Sequence, residues 1–235
     1  MLDGAVRANV RDMVIAITNS KGGVGKSTVA VHLAGWLSAQ GFRVTLADCD
    51  PQHSASEWIR QAAPAVTPVI LDTPDEILNA MNRVREMGDF VVADGPGSQT
   101  EVSRALLLKA DFALVPCKAS MLEVRALAKA TEVLRQAQEI RGGKPQAVAV
   151  LSMVGSRYKL TQDMKEAAEA LGLPLANSCF SLRQIYADAP GQGKLVWDFG
   201  GRGEEAGVEA REVFEEIFGE LIAPMLPRKL RANEK

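Results

Sequence analysis

The sequence predicts a single α/β domain built on one doubly wound, mostly parallel sheet with helices on both faces. Three observations predict it. Short runs of Val, Ile, Leu and Ala alternate with longer stretches of helical periodicity. Those apolar runs are continuous rather than alternating, as strands buried on both faces are. The 235 residues contain no linker, internal repeat or low-complexity stretch, so the 47% that are hydrophobic can build one core.

The elements follow in order. A first strand is expected over 14–18 and a helix over 27–40, closed by Gly41. A second strand over 43–47 precedes a short helix over 55–63, stopped by Pro64. A third strand over 69–71 leads to a helix over 74–87. Strands over 90–93 and 112–115 bracket a helix over 101–109. A long helix over 121–141 ends at Gly142-Gly143, before a strand over 147–153 and a helix over 160–171. The last helix is expected over 204–222, with Pro224 and Pro227 preventing its continuation. The organisation expected is an N-terminal extension over 1–12, one domain over 13–223 and a basic tail over 224–235. Met13, directly before the first strand, is a candidate biological start.

Composition excludes several classes. Charged residues make up 24% and the net charge is −2, so any nucleic-acid binding must come from a local patch. Cys49, Cys117 and Cys179 are far apart and lack paired ligand spacing, which reads as reduced thiols. No apolar run approaches the roughly 20 residues that cross a membrane, and the N-terminus has no apolar h-region. His32 and His53 lack a ligand cluster and take no catalytic role.

The chemistry is concentrated in three strand ends. Ser20-Lys21-Gly22-Gly23-Val24-Gly25-Lys26-Ser27-Thr28 follows a strand and opens a helix, the context a phosphate-binding loop requires. Its glycines let the backbone N–H groups close on phosphate, and the helix aims its positive end at the same anion. Lys26 is placed to neutralise the β- and γ-phosphates and Ser27 to ligate Mg²⁺. The second strand ends in Asp48-Cys49-Asp50-Pro51-Gln52, whose two carboxylates can face the magnesium shell and the attacking water. The strand over 90–93 runs into Asp94-Gly95-Pro96-Gly97, an aspartate suited to holding Mg²⁺, followed by glycines that allow the loop to move.

An additional lysine, Lys21, precedes the glycines. Lys21 to Ser27 resembles the deviant Walker A motif Lys-Gly-Gly-x-Gly-Lys-[Ser/Thr] of the ParA/MinD ATPases, and the likeness extends over about 14–222. The resemblance implies an ATPase whose Lys21 reaches across an ATP-bound homodimer to the partner's nucleotide. It implies that the Asp50 loop is switch I, with Asp50 positioning water and Asp48 in the magnesium shell, and that the Asp94 loop is switch II. Pro116 ends its strand in a region that the resemblance implies to approach the nucleotide, and Met153, at the end of the strand over 147–153, is either a wall of the base pocket or a core residue. The segment ending Ala189-Pro190-Gly191-Gln192-Gly193-Lys194 resembles a late ParA segment, and the short chain resembles plasmid-partition proteins of the ParF type. His53 and Ser54 stand where many relatives carry Gly-Asn.

Members of that type bind DNA non-specifically when ATP-bound, and a ParB-like or cargo-adaptor partner stimulates hydrolysis and releases them. The expected function is therefore segregation of plasmid or chromosomal DNA by a cytoplasmic, nucleoid-associated ATPase. The alternative is the same engine carrying a protein cargo, such as a carboxysome or chemoreceptor cluster. Arg183, Lys194 and Arg202 are the candidate DNA contacts, with Arg157 and Lys159 behind them. The glutamates over 204–220 and the prolines after them argue against the basic membrane-targeting helix of MinD-like proteins. A reductase of the nitrogenase iron-protein type is disfavoured, because no second cysteine follows Cys117 in the next loop or helix. A biosynthetic ligase would need a substrate pocket that no residue set here identifies.

Overall fold

The computed structural model describes residues 12–98, 101–118, 121–155, 166 and 168–226. Seven strands form one sheet: β1 (Met13–Ile17), β2 (Val44–Asp48), β3 (Thr67–Ile70), β4 (Phe90–Asp94), β5 (Phe112–Lys118), β6 (Gln146–Val154) and β7 (Leu175–Ser181). Their order is β3-β2-β4-β1-β5-β6-β7, and every neighbouring pair is parallel. Helices α1 (Lys26–Ala39), α2 (Ser54–Ala62), α3 (Pro74–Glu86), α4 (Glu101–Lys109), α5 (Met121–Ile140), α6 (Gln184–Gly191) and α7 (Glu204–Ile222) cover its faces. The expected parallel α/β sheet is the one observed.

Alternate residues of each strand serve different faces. Ile15, Ile17, Leu46, Phe90, Val92, Phe112 and Leu114 point into the core shared with α1, α2 and α7. Val14, Ala16, Ala47, Val91 and Ala93 meet α3 and α4 on the other face, and Ala113, Val115, Ala149 and Leu151 meet α5. Burial on both sides is why these strands read as unbroken apolar runs.

Two strand features depart from a simple reading of the prolines. The strand expected to end near Pro116 continues to Lys118, with Pro116 opposite Val150. Proline is tolerated there because β1 pairs only with Phe112 to Leu114, so no β1 carbonyl awaits the missing N–H. Pro68 lies on the edge strand β3 for a similar reason.

Strand β7 and helix α6 are absent from the sequence-based expectation. Leu-Ala-Asn-Ser-Cys-Phe-Ser has no apolar run because β7 is the sheet's other edge. Its outer N–H groups are covered by side chains of α7. Glu216 accepts from Asn177 and Ser178, each at 2.7 Å, and Glu209 accepts from Ser181 at 2.7 Å. The acidic face of α7 therefore protects a sheet edge. The helix expected over 160–171 lies mostly outside the described residues; residues 168–170 are helical. Arg157, Lys159, residues 1–11 and the basic tail from residue 227 onward also lie outside them.

Candidate nucleotide site

The C-terminal ends of β1, β2 and β4 converge where the sheet order reverses around β1, the usual ligand crevice of such sheets. The phosphate loop joins β1 to α1. Gly23 and Gly25 have φ of 70° and 87°, a region that L side chains enter only at a cost. Gly25 is the N-cap of α1, which has no side-chain cap and no acidic residue in its first turn. The orphan N–H groups and positive end of the helix are thus left for an anion.

The loop is held from beneath by residues that no sequence motif singles out. Asn19 is buried; its amide donates to the Pro116 carbonyl at 2.7 Å, and its oxygen accepts from the Lys21 N–H at 3.0 Å. The Ser152 hydroxyl donates to the Val24 carbonyl at 2.7 Å. Asn19 could have been suspected from its place immediately before the loop. Ser152 could not, because β6 is brought in by the fold alone.

Lys26 is buried, and its ammonium donates to the Lys21 carbonyl at 2.8 Å. Desolvation lowers its pKa, while Asp94 and Asp50 raise it. Asp94 is fully buried, and neither carboxylate oxygen makes a well-formed hydrogen bond among the described residues, although the Ser27 hydroxyl is near. Burial raises its pKa to about 7, against the lowering effects of Ser27 and Lys26. Asp48 is also buried. Its Oδ1 accepts from the Asp50 N–H at 3.2 Å and its Oδ2 from the Ser56 N–H at 2.7 Å, yet desolvation dominates and raises its pKa. Asp50 is half-buried at the start of the next turn, with Oδ1 accepting from the Gln52 N–H at 2.9 Å.

A buried carboxylate whose oxygens make no well-formed hydrogen bond, beside a serine hydroxyl and a second carboxylate, is a hard-oxygen donor set. The set fits magnesium, which Ser27, Asp94 and Asp48 would hold. Among the described residues no group of three or more His, Cys, Asp or Glu is placed to hold a metal ion. Magnesium would supply charge neutralisation at the phosphates. Lys26 and the uncapped α1 N-terminus are the groups that would hold phosphate.

The loop after β4 touches the phosphate loop, since a Cβ on Gly97 would lie 3.5 Å from the Gly22 Cα. Gly95 has a packing reason for being glycine: a Cβ there would lie 2.7 Å from the Ile17 carbonyl oxygen. Beside Gly25 opens a pocket of about 160 Å³, walled by Val29, Met153, Phe180, Leu182, Arg183 and Tyr186. Met153 has φ 55° and is 37% exposed, so it lines this pocket rather than packing in the core. Pro116 is linked to the phosphate loop through its carbonyl, which accepts from Asn19.

Of the candidate DNA contacts, Arg183 lies on the wall of the pocket beside Gly25. Arg183 pairs with Glu205 at 2.5 Å and Glu209 at 3.4 Å. Arg202 pairs with Asp188 at 3.3 Å, and the Lys194 ammonium lies 5.3 Å from the Phe199 ring centre. Among the described residues no helix is long and apolar enough to cross a membrane.

Comparison with known proteins agrees with this fold. The chain is 29% identical over 214 residues to the maintenance of carboxysome distribution protein A of Halothiobacillus neapolitanus, covering 89% of this chain and 98% of that protein. It is 31% identical over 173 residues to the chromosome partitioning protein ParA of Caulobacter vibrioides, covering 73% of this chain and 59% of that one. The fold matches an ATP complex of a Cyanothece McdA variant with TM-score 0.66 and 18% identity, covering 87% and 96% of the two chains. It matches the cell division ATPase MinD of Pyrococcus furiosus with TM-score 0.65 and 18% identity, covering 88% and 99%. The CobQ/CobB/MinD/ParA nucleotide binding domain matches residues 15–196, and with its parallel sheet, two-lysine phosphate loop and strand-end aspartates the chain belongs to that family.

Proposed function

We propose that this protein is a magnesium-dependent ATPase that dimerises on ATP, binds DNA non-specifically and is released when a partner stimulates hydrolysis, so that a cargo is segregated or positioned. The observation that carries this reading is the convergence of Lys21 and Lys26 on one phosphate loop with Asp48, Asp50 and Asp94 around it. Lys26 neutralises the phosphates of its own nucleotide. Lys21, one residue before the glycines, reaches the nucleotide of a second copy. The apolar pocket beside Gly25, with Met153 on its wall, takes the base. Arg183, Lys194 and Arg202 supply phosphate contacts to DNA, and the two arginines exchange their carboxylate partners to do so.

Segregation of plasmid or chromosomal DNA is the first reading of the cargo. A protein assembly is the second, favoured by the alignment that runs through nearly all of this chain and of the carboxysome-distribution protein. Imaging a tagged protein in its native cell together with each kind of cargo separates them, since only the true cargo loses its spacing when Lys26 is changed.

Turnover tests the engine. Wild type should hydrolyse Mg-ATP slowly, and DNA together with the partner should accelerate it. Lys26→Gln should lose turnover by about a hundredfold or more. Lys21→Ala should retain ATP binding but lose turnover and the ATP-dependent dimer; unaltered hydrolysis would remove the two-chain site. Asp50→Ala should still dimerise with ATP while failing to turn it over. DNA retention should require ATP and fall steeply as salt rises.

A further inference from the structure

His53 sits at the N-cap of α2 with φ 51° and ψ 24°, the left-handed region that a non-glycine residue occupies only against a penalty. Its side chain does not cap the helix. Instead its Nε2 lies 2.7 Å from Asp72 Oδ2. Asp72 follows a rigid support, because the Leu71 N–H donates to the Asp48 carbonyl at 2.9 Å as β3 leaves the sheet. The pair therefore ties the turn after β2 to the end of β3.

That turn begins next to Asp48 at the end of β2 and carries Asp50. The His53 N–H donates to the Asp50 carbonyl at 2.9 Å. The His53 carbonyl accepts from the Ser56 hydroxyl at 2.9 Å and from the Glu57 N–H at 3.2 Å. Ser56 in turn donates its N–H to Asp48 at 2.7 Å. A glycine would adopt this backbone conformation freely. The residue present is one whose ring bonds across to another strand end, so the side chain has a role beyond the turn itself.

We propose that His53 and Asp72 are positioning residues for ATP hydrolysis: their bond holds the turn that presents Asp50 to the attacking water. The inference rests on the reading of Asp50 given above. ATP binding belongs to the phosphate loop, so a loosened turn should lower kcat and leave KM nearly alone. Misplacing a reacting group by about 1 Å costs as much as a hundredfold in rate. The closing experiment measures kcat and KM for Mg-ATP, with urea midpoints, in wild type, His53→Gly, Asp72→Ala, the double variant and Asp72→Asn.

His53→Gly removes the backbone penalty along with the ring, so it should fold at least as stably as wild type while losing roughly tenfold in kcat. Asp72→Ala should match it, the double variant should be no worse than either single change, and Asp72→Asn, which still offers an oxygen to a ring N–H, should recover most of the rate. An unchanged kcat in His53→Gly overturns the proposal. So does a raised KM at constant kcat, or losses that add in the double variant. A wild type without turnover would remove the ATPase reading and this inference together, whereas an active wild type with equally active variants removes only the inference.

Discussion

Asp94→Asn should raise the stability of the nucleotide-free protein by about 2 kcal/mol at pH 7 while lowering magnesium-dependent turnover about a hundredfold or more. The carboxyl is buried, the nearby Ser27 hydroxyl and Lys26 ammonium only partly offset its desolvation, and its pKa is raised to about 7. In the unfolded chain the same group titrates near its ordinary value of 3.8. Between those values the native state holds a proton that the unfolded state has released, so stability falls as pH rises from about 4 to about 7. The gap between 3.8 and about 7 sets a ceiling of about 4 kcal/mol, and an amide in the same dry position returns part of it. The loss of turnover has a separate cause, because a neutral amide is a far poorer magnesium ligand than a carboxylate. Urea midpoints and turnover on one preparation check both halves. A destabilised Asp94→Asn would mean that native contacts already satisfy the carboxylate.

The same variant should expose an acid-labile group in the core. His32 is fully buried on α1, edge-on to the rings of Trp58, Tyr186 and Trp197. Its Nδ1 lies 2.7 Å from the Thr28 carbonyl, which can only accept, so Nδ1 carries the proton. Its Nε2 accepts from the Val196 N–H at 3.0 Å. Protonation would set one N–H against another, and burial lowers the pKa to about 4 from 6.5. The stability that His32 confers is complete above pH 6.5 and is lost as pH falls toward 4, because only the unfolded state takes up the proton in that window.

Asp94 has the opposite dependence over nearly the same range. From pH 7 to pH 5 each group contributes about 2 kcal/mol in opposite senses, so the wild type should show little net change from the pair. Asp94→Asn removes one side of that balance and should lose about 2 kcal/mol more than wild type over the same step. His32→Gln, measured against wild type, should show the reverse: it starts less stable at pH 7, having lost a well-packed ring, and loses less on acidification. Equal pH slopes in wild type and Asp94→Asn would sink the assignment of opposed titrations.

Much of this molecule follows from local sequence. The phosphate loop is legible because every property it needs lies within nine consecutive residues: glycines for the backbone, Lys26 and Ser27 for the ligand, and a helix with nothing capping its start. Asp48 and Asp94 are legible because a carboxylate at the end of an apolar run faces the crevice of a parallel sheet. The sheet is legible wherever both faces of a strand are buried, as in β1, β2 and β4. Strand β7 is not, since an edge strand with polar residues carries no apolar run, and its partners are glutamates that lie 28 to 39 residues away in sequence.

Lys21 is the residue on which the sequence alone says most, because its position before Gly22 carries the family resemblance. Only the tertiary structure decided what Asn19, Ser152, His32, His53 and Asp72 do. Each is a single polar side chain with no periodicity and no motif. Its role exists only once a distant strand or helix supplies the second half of a hydrogen bond, at sequence separations of 19 for His53 and Asp72, 97 for Asn19 and Pro116, 128 for Ser152 and Val24, and 164 for His32 and Val196.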